Sequence, residues 1–400
     1  MPILEFFQGI YTFFLTEPEI AIGRLVLIAL GFLFIFLSYK KVLEALIMLP
    51  MGMGIIAVNG GLMVMEAGQI GNLFVNPLAG NIEELMYFLQ IDFLQPFYTF
   101  TFSNGLIACL VFMGIGAITD IDILIARPFM SLFLAVCAEL GTIATLPIAM
   151  AMGFLPKEAA AIALVGGADG PMVLYGSIMM AKDLFVPITV VAYVYLGVCY
   201  AGYPFLARII PKRLRAIEMD WRTIPRVSSG AKFAFSIIAA GLLCLLFPPA
   251  APLFASFFLG LAVKEAGILR YVEFLSGPLL YGSTFFLGFT LGALLGVDII
   301  LNPRVLLLLV LGVIALTLSG LGGIAGGLIY RKMTREPFNP LIGIAAVSCV
   351  PTTAKVAQKC AFAVNKKAMI LPFAMGPCVA GVITTAIITG IYISGIGLVQ

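Results

Sequence analysis

The 400 residues contain no histidine. That absence excludes Ser-His-Asp and Cys-His nucleophilic catalysis, His-ligated zinc and histidine proton relays together. Charge is scarce too: 11% of residues are Asp, Glu, Lys or Arg, against roughly 25% in a soluble globular chain. The net charge of +3 is too small for a phosphate-binding surface, so no nucleic-acid partner is expected. The seven cysteines, Cys109, Cys137, Cys199, Cys244, Cys349, Cys360 and Cys378, show no CxxC spacing. They read as small apolar helix residues rather than a disulfide framework. Met1 to Gln8 carries Glu5 and no Lys or Arg, so no cleavable signal peptide is expected.

What the chain has in abundance is hydrophobicity, with 62% apolar residues and a mean hydropathy of +1.13. Runs of about 18 apolar residues or more recur, each long enough to cross about 30 Å of hydrocarbon as a helix. They lack the period-2 alternation of a membrane barrel, so the expected fold class is an all-α polytopic membrane protein embedded in a lipid bilayer. The pattern predicts spans over Ile20–Tyr39, Val42–Gly60, Tyr98–Ala117, Phe129–Gly153, Leu184–Leu206, Phe233–Phe247, Pro278–Val297, Val305–Tyr330 and Ala368–Ser394, with a short one over Leu253–Val263. Two further stretches are interrupted. Ala159–Met180 breaks at Gly166-Gly167-Ala168-Asp169-Gly170-Pro171, and Leu341–Gln358 breaks at Ser348-Cys349-Val350-Pro351-Thr352-Thr353.

Orientation follows from Lys and Arg. Gly61–Pro96 has neither and should face outward, whereas Arg208–Lys232 holds seven and should face the cytoplasm. The two assignments conflict if Ala159–Met180 is a single crossing and agree if it is a re-entrant hairpin from outside. A second hairpin over Leu341–Gln358, entering from inside, leaves every Lys and Arg except Arg24, Lys157, Lys182 and Arg304 on the inner side or in that hairpin. An internal repeat points the same way. Phe112-Met113-Gly114 through Asp120-Ile121-Asp122 to Arg127-Pro128 is similar to Phe286-Leu287-Gly288 through Gly296-Val297-Asp298 to Asn302-Pro303, and each block precedes a long apolar span and then a broken segment. The expected organisation is N-terminal helices and an outer loop over 1–97, a first repeat over 98–207, a basic cytoplasmic linker over 208–232, and a second half over 233–400. An inverted-topology repeat with broken helices near the midplane is the plan of many ion-coupled transporters.

Asp169 is the strongest chemical signal. A carboxylate near the bilayer centre costs about 2.5–3.5 kcal/mol on insertion scales and calls for a cation, proton or basic partner. The flanking Gly166, Gly167, Gly170 and Pro171 interrupt the helix and free backbone groups around it. The alternative is a surface Asp capping a helix, with Pro171 near its first turn. Ser348, Thr352 and Thr353 offer hydroxyls from the second break, and Lys355 follows on the same stretch, either to neutralise Asp169 or to meet an anion. Glu139 is a second acid in mid-span, a proton site, an ion ligand or the partner of a basic residue. Tyr193 and Tyr195 lie inside a span, where Tyr195 could offer its hydroxyl or merely pack.

Val165-Gly166-Gly167-Ala168-Asp169-Gly170-Pro171, Ala346-Val347-Ser348-Cys349-Val350-Pro351 and Ala374-Met375-Gly376-Pro377-Cys378-Val379-Ala380-Gly381 together resemble the beta subunit of Na⁺-translocating biotin-dependent decarboxylases. The resemblance runs from about Ala21 to the C-terminus. It implies an inner-membrane subunit that decarboxylates N-carboxybiotin held by a partner, consumes a proton and exports Na⁺. It also implies biotin-carrier and carboxyltransferase subunits, a small single-span membrane subunit, and assembly as an oligomer. The essential aspartate falls on Asp169 and a functional tyrosine on Tyr195. With Lys355 these form the expected catalytic set, and Asp169, Ser348, Thr352, Cys378 and Thr385 the expected ion site. Cys378 departs from the family pattern, standing where an asparagine follows Gly-Pro, and Thr385 stands for a serine. Cysteine is a poor ligand for a hard cation, so either Thr384 or Thr385 substitutes or the coupled ion differs. A stand-alone ion-coupled carboxylate transporter on the same repeat is the competing reading, because fold alone does not decide function.

Overall fold

The computed structural model describes residues 6–65, 69–77, 82–334 and 337–396. Glu5 and the side chain of Asp298, used above, lie outside them. The chain divides into two compact units, one of Met1–Ile107 with Gly282–Leu308 and the other of Ala108–Tyr281 with Leu309–Gln400. The protein is all-α and polytopic: six described helices are long and apolar enough to cross a membrane.

The first unit opens with α1 (Gln8–Leu15), α2 (Pro18–Tyr39) and α3 (Ala45–Gly60). A two-residue antiparallel pair, β1 (Met63–Val64) and β2 (Ile70–Gly71), precedes α4 (Ile82–Ile91) and α5 (Gln95–Phe102). Pro18 sits in the first turn of α2, where its missing N–H removes no helical bond. Arg24, an exception to the inward charge bias, is fully buried in α2. Its guanidinium donates to the Asn59 carbonyl at 3.1 Å, the Thr12 hydroxyl at 3.1 Å and the Gly9 carbonyl at 3.3 Å, and it lies over the Phe13 ring. Burial among neutral acceptors, rather than reach to an interface, thus accounts for its place.

In the second unit α6 (Leu106–Ile118) leads to the short α7 (Asp122–Ala126) and to α8 (Pro128–Ala151). The first broken segment follows as α9 (Pro156–Ala163) and α10 (Gly170–Met180), then α11 (Phe185–Leu206). After the linker come α12 (Ser229–Leu246), α13 (Ala251–Glu265) and α14 (Leu269–Leu294). The last group is α15 (Pro303–Met333), α16 (Ile342–Ala345), α17 (Thr352–Phe362) and α18 (Leu371–Ile396). The order long helix, broken segment, long helix therefore occurs twice, as α8 to α11 and α15 to α18.

The second broken segment returns to the side it starts from. Before it, the Asn339 amide donates to the carbonyls of Arg215 and Ile217 at 2.9 and 3.0 Å. After it, the Asn365 amide donates to the Ala216 carbonyl at 3.0 Å and the Glu218 carboxylate at 2.9 Å. Both ends are tied to the same few residues of the basic linker, so α16 and α17 form a re-entrant hairpin.

Three span boundaries differ from the sequence pattern. Tyr98–Ala117 is not one helix: α5 and α6 meet at a 67° bend. Gly105 there has φ 78°, and the Asn104 side chain accepts from the Leu106 N–H at 2.9 Å, which starts a new helix as an N-cap does. Pro278 does not open its helix but lies inside α14, within a π-turn over Leu275–Leu279 that absorbs the missing N–H. The short α13 has 15 residues, about 22 Å of rise, and packs against α12.

At the start of α12 Lys232 bridges Asp122 at 3.2 Å and Glu265 at 3.3 Å, while the Lys264 ammonium donates to the Thr119 carbonyl at 2.5 Å. Lys232→Ala leaves the buried Glu265 carboxylate and the quarter-exposed Asp122 without their cation, so it should lower stability by about 1.5–3 kcal/mol, the range for hydrogen bonds to charged groups. Lys232→Arg should restore most of it. Thermal unfolding in detergent is the measurement, and an unchanged midpoint for Lys232→Ala would refute the bridge.

Candidate ion site between two broken helices

The first break is built in three steps along the chain. α9 tightens into a 3₁₀ turn over Leu164–Gly167, Ala168 takes the left-handed conformation (φ 55°), and Asp169 becomes the extended N-cap of α10. The Asp169 carboxylate accepts from the Met172 N–H at 3.4 Å, with Pro171 in the first turn. The helix-capping geometry is therefore present, but not at a surface: Asp169 is 5% exposed and its neighbours from Ala159 to Leu174 are buried. Two glycines are demanded by close approach. A Cβ on Gly166 would stand 2.5 Å from the Thr142 backbone nitrogen of α8, and one on Gly170 would stand 2.5 Å from the Tyr193 ring.

The second break meets the first directly. The Ser348 N–H donates to the Gly167 carbonyl at 3.1 Å and the Ser348 hydroxyl donates to the same oxygen at 2.5 Å. Thr353 ties its own break together, donating to the Val347 carbonyl at 2.7 Å, and lies 3.6 Å from the Cys378 sulfur.

Behind this contact is an oxygen cluster around Glu139, at the joint between the two halves of α8, Pro128–Ala138 and Leu140–Ala151. Glu139 is 3% exposed and accepts from Thr142 at 2.6 Å, Thr384 at 3.4 Å and Thr385. The Thr385 hydroxyl also lies 2.9 Å from both the Ser348 hydroxyl and the Gly381 carbonyl. One hydroxyl carries one hydrogen, so three facing oxygens leave acceptors in excess. Such a cluster attracts a proton or a hard cation, and all its atoms are oxygens, the ligand type Na⁺ prefers.

Residues 23–396 match the family of the Na⁺-transporting oxaloacetate decarboxylase beta subunit. The chain is 50% identical over 399 residues to the carboxybiotin decarboxylase of Malonomonas rubra, covering 100% of this chain and 99% of that one. It is 32% identical over 389 residues to the methylmalonyl-CoA decarboxylase subunit beta of Propionigenium modestum, with 94% and 95% covered. The oxaloacetate decarboxylase beta chain of Klebsiella pneumoniae is 32% identical over 415 residues, with 92% and 94% covered. The chain belongs to this family. It is a multi-pass membrane subunit of a Na⁺-transporting decarboxylase, which sets aside the stand-alone carboxylate transporter.

Within this family member the expected residues fall in three places. Asp169, Ser348 and Thr385 are buried around the contact of the two breaks, and Thr352 begins α17 beside them, 8% exposed. Cys378 is fully buried on α18, its sulfur 3.6 Å from the Thr353 hydroxyl of the second break. Tyr195 turns elsewhere, donating to the Leu309 carbonyl of α15 at 2.5 Å. Lys355 lies on the exposed face of α17. Tyr193, two residues before Tyr195, is the tyrosine against Gly170, and its buried hydroxyl has no hydrogen-bond partner among the described residues. Thr142 was absent from the expected set, and Thr384 was named only as a substitute for the departing Cys378. Glu139 and Thr142, three apart on a helix, share a face, but nothing in the sequence pairs them with Thr384 and Thr385.

Gly166→Ala should force the break off α8 and lower stability by about 1–3 kcal/mol, as overpacking does. Gly202→Ala, in α11 with open space around it, should be neutral or stabilising by up to about 1 kcal/mol. Thermal unfolding of both variants checks the pair, and equal midpoints would contradict the close packing at Gly166.

Proposed function

We propose that this chain decarboxylates N-carboxybiotin presented by a biotin-carrier subunit and couples that reaction to Na⁺ export with uptake of a proton. The observation that carries the reading is the placement of Asp169 and the Ser348–Thr385–Glu139 oxygens around the Gly167 carbonyl, away from lipid and water. The 50% identity to a protein named carboxybiotin decarboxylase supports the substrate. In the reaction the bond between the ureido nitrogen and the carboxyl carbon breaks, CO₂ leaves, and the electron pair on nitrogen takes up a proton.

Asp169 supplies the charge that offsets Na⁺ dehydration, a penalty of several kcal/mol for an uncompensated buried ion. Ser348, Thr352 and Thr385 supply hydroxyl oxygens, and Glu139 holds a proton or a second share of the ion. Cys378 lines the site without being a strong ligand. Tyr195 acts only after releasing the Leu309 carbonyl, so Tyr193 is the better-placed hydroxyl in this conformation. Lys355, on the exposed side of α17, meets incoming anionic groups. A carboxyltransferase and a small single-span subunit complete the assembly, which forms an oligomer in the inner membrane.

The test is the initial rate of carboxybiotin decarboxylation against Na⁺ concentration for the purified complex. Asp169→Asn keeps the side-chain volume, so the protein should insert normally and lose Na⁺ stimulation and Na⁺ transport together. Cys378→Asn brings an amide oxygen to the lining and should preserve or lower the Na⁺ concentration for half-maximal rate. An Asp169→Asn complex that pumps Na⁺ at the wild-type rate would overturn the reading.

A further inference from the structure

A cavity of about 510 Å³ opens beside the basic linker, lined by Arg222, Ile224, Pro225 and Arg226 from the linker, by Asp120 from the turn before α7, and by Met375 from α18. Its volume lies in the range of small-molecule sites, about 300–1,000 Å³, and far exceeds the roughly 30 Å³ share of one water. A bare ion therefore does not account for it. Its charge is mixed: two guanidinium groups stand with Asp120 and Asp122 in one wall. That balance disfavours a polyanion such as a nucleotide and suits a ligand with one carboxylate, one N–H donor and an apolar body.

The turn carrying the acids is held firmly. Asp120 accepts from the Asp122 N–H at 3.0 Å, Lys264 holds the Thr119 carbonyl, and Lys232 holds Asp122. One Asp120 carboxylate oxygen carries that backbone bond, and a carboxylate has about four acceptor positions. Met375 lies in the first turns of α18, three residues before Cys378 and ten before Thr385, about 4.5 and 15 Å of helical rise. The cavity thus stands at the inner end of the helix that lines the ion site.

We propose that this cavity receives the carboxylated ureido head of carrier-bound carboxybiotin before decarboxylation. Arg226 and Arg222 take the carboxylate in the planar fashion that guanidinium favours, Asp120 accepts the remaining ring N–H, and Ile224, Pro225 and Met375 cover the bicyclic body. This rests on the carboxybiotin reading above.

The experiment measures decarboxylation of the carboxylated carrier protein by the purified complex at saturating Na⁺, with thermal midpoint and half-maximal Na⁺ for each variant. Arg226→Gln should raise KM for the carrier about tenfold or more, which corresponds to roughly 1.4 kcal/mol, and leave half-maximal Na⁺ unchanged. Arg226→Lys should fall between the two, because it keeps charge and loses planar geometry. Asp120→Asn should raise KM less than Arg226→Gln. Arg213→Gln, in the linker and outside the cavity, should match the wild type and control for loss of surface charge. A wild-type complex inactive on the carboxylated carrier would remove the functional reading itself. An active wild type whose Arg226→Gln and Asp120→Asn variants keep their KM would overturn only the cavity assignment, as would an Arg226→Gln variant altered in half-maximal Na⁺ alone.

Discussion

The Gly167 carbonyl is freed where α9 ends, and Ser348 donates to it twice, through its N–H and through its hydroxyl. Each break interrupts a helix in a region without bulk water, where an unsatisfied backbone group costs several kcal/mol. The first break does not satisfy itself completely. The acceptor released by one is used by donors of the other, so the two stand together. The close approach also fixes what can surround it: no side chain at Gly166 or Gly170, and Thr385 of α18 against both Gly167 and Ser348.

The proposed Na⁺ site rests on the same contact. Half-helices present positive N-terminal ends, and Asp169 and Thr352 stand at those of α10 and α17. In the proposed site the oxygens between them would hold and release a small cation, with ligands drawn from two separate breaks and from α18 rather than from one rigid element. The joint of α8 at Glu139 brings a second carboxylate beside these oxygens, where threonine hydroxyls serve it. Lys232, bound to Asp122 and Glu265, ties α12 to α7 and α13 in the same unit.

Much of this was legible in the sequence for physical reasons. Gly-Gly-Ala-Asp-Gly-Pro cannot continue a helix, and Asp169 within it cannot sit in hydrocarbon without a partner. The distribution of Lys and Arg favoured hairpins over single crossings, and Asn339 and Asn365 tie both ends of the second segment to the linker. Other features left no readable mark. The pattern of Ser103-Asn104-Gly105 is short enough to be lost inside an apolar run, so the bend between α5 and α6 was missed. Glu139 and Thr385 are separated by 246 residues, and no periodicity connects residues that far apart. Tyr193 and Tyr195 differ by two positions on one helix, which turns them about 200° apart, and only the packing of α10 and α15 tells which one lies against Gly170. Arg24 looked like a stray outer charge until its three neutral acceptors were in view.

The central claim is that the two breaks hold one Na⁺ jointly. Equilibrium binding of ²²Na⁺ to the purified subunit, without carboxybiotin and therefore without turnover, addresses it most directly. The wild type should bind saturably, and Ser348→Ala should weaken binding about tenfold or more, the effect of removing one well-placed oxygen ligand at roughly 1.4 kcal/mol. Asp169→Asn should abolish binding in the same range. Wild-type affinity in Ser348→Ala, with binding lost only in Asp169→Asn, would place the ion on the first break alone and contradict the account.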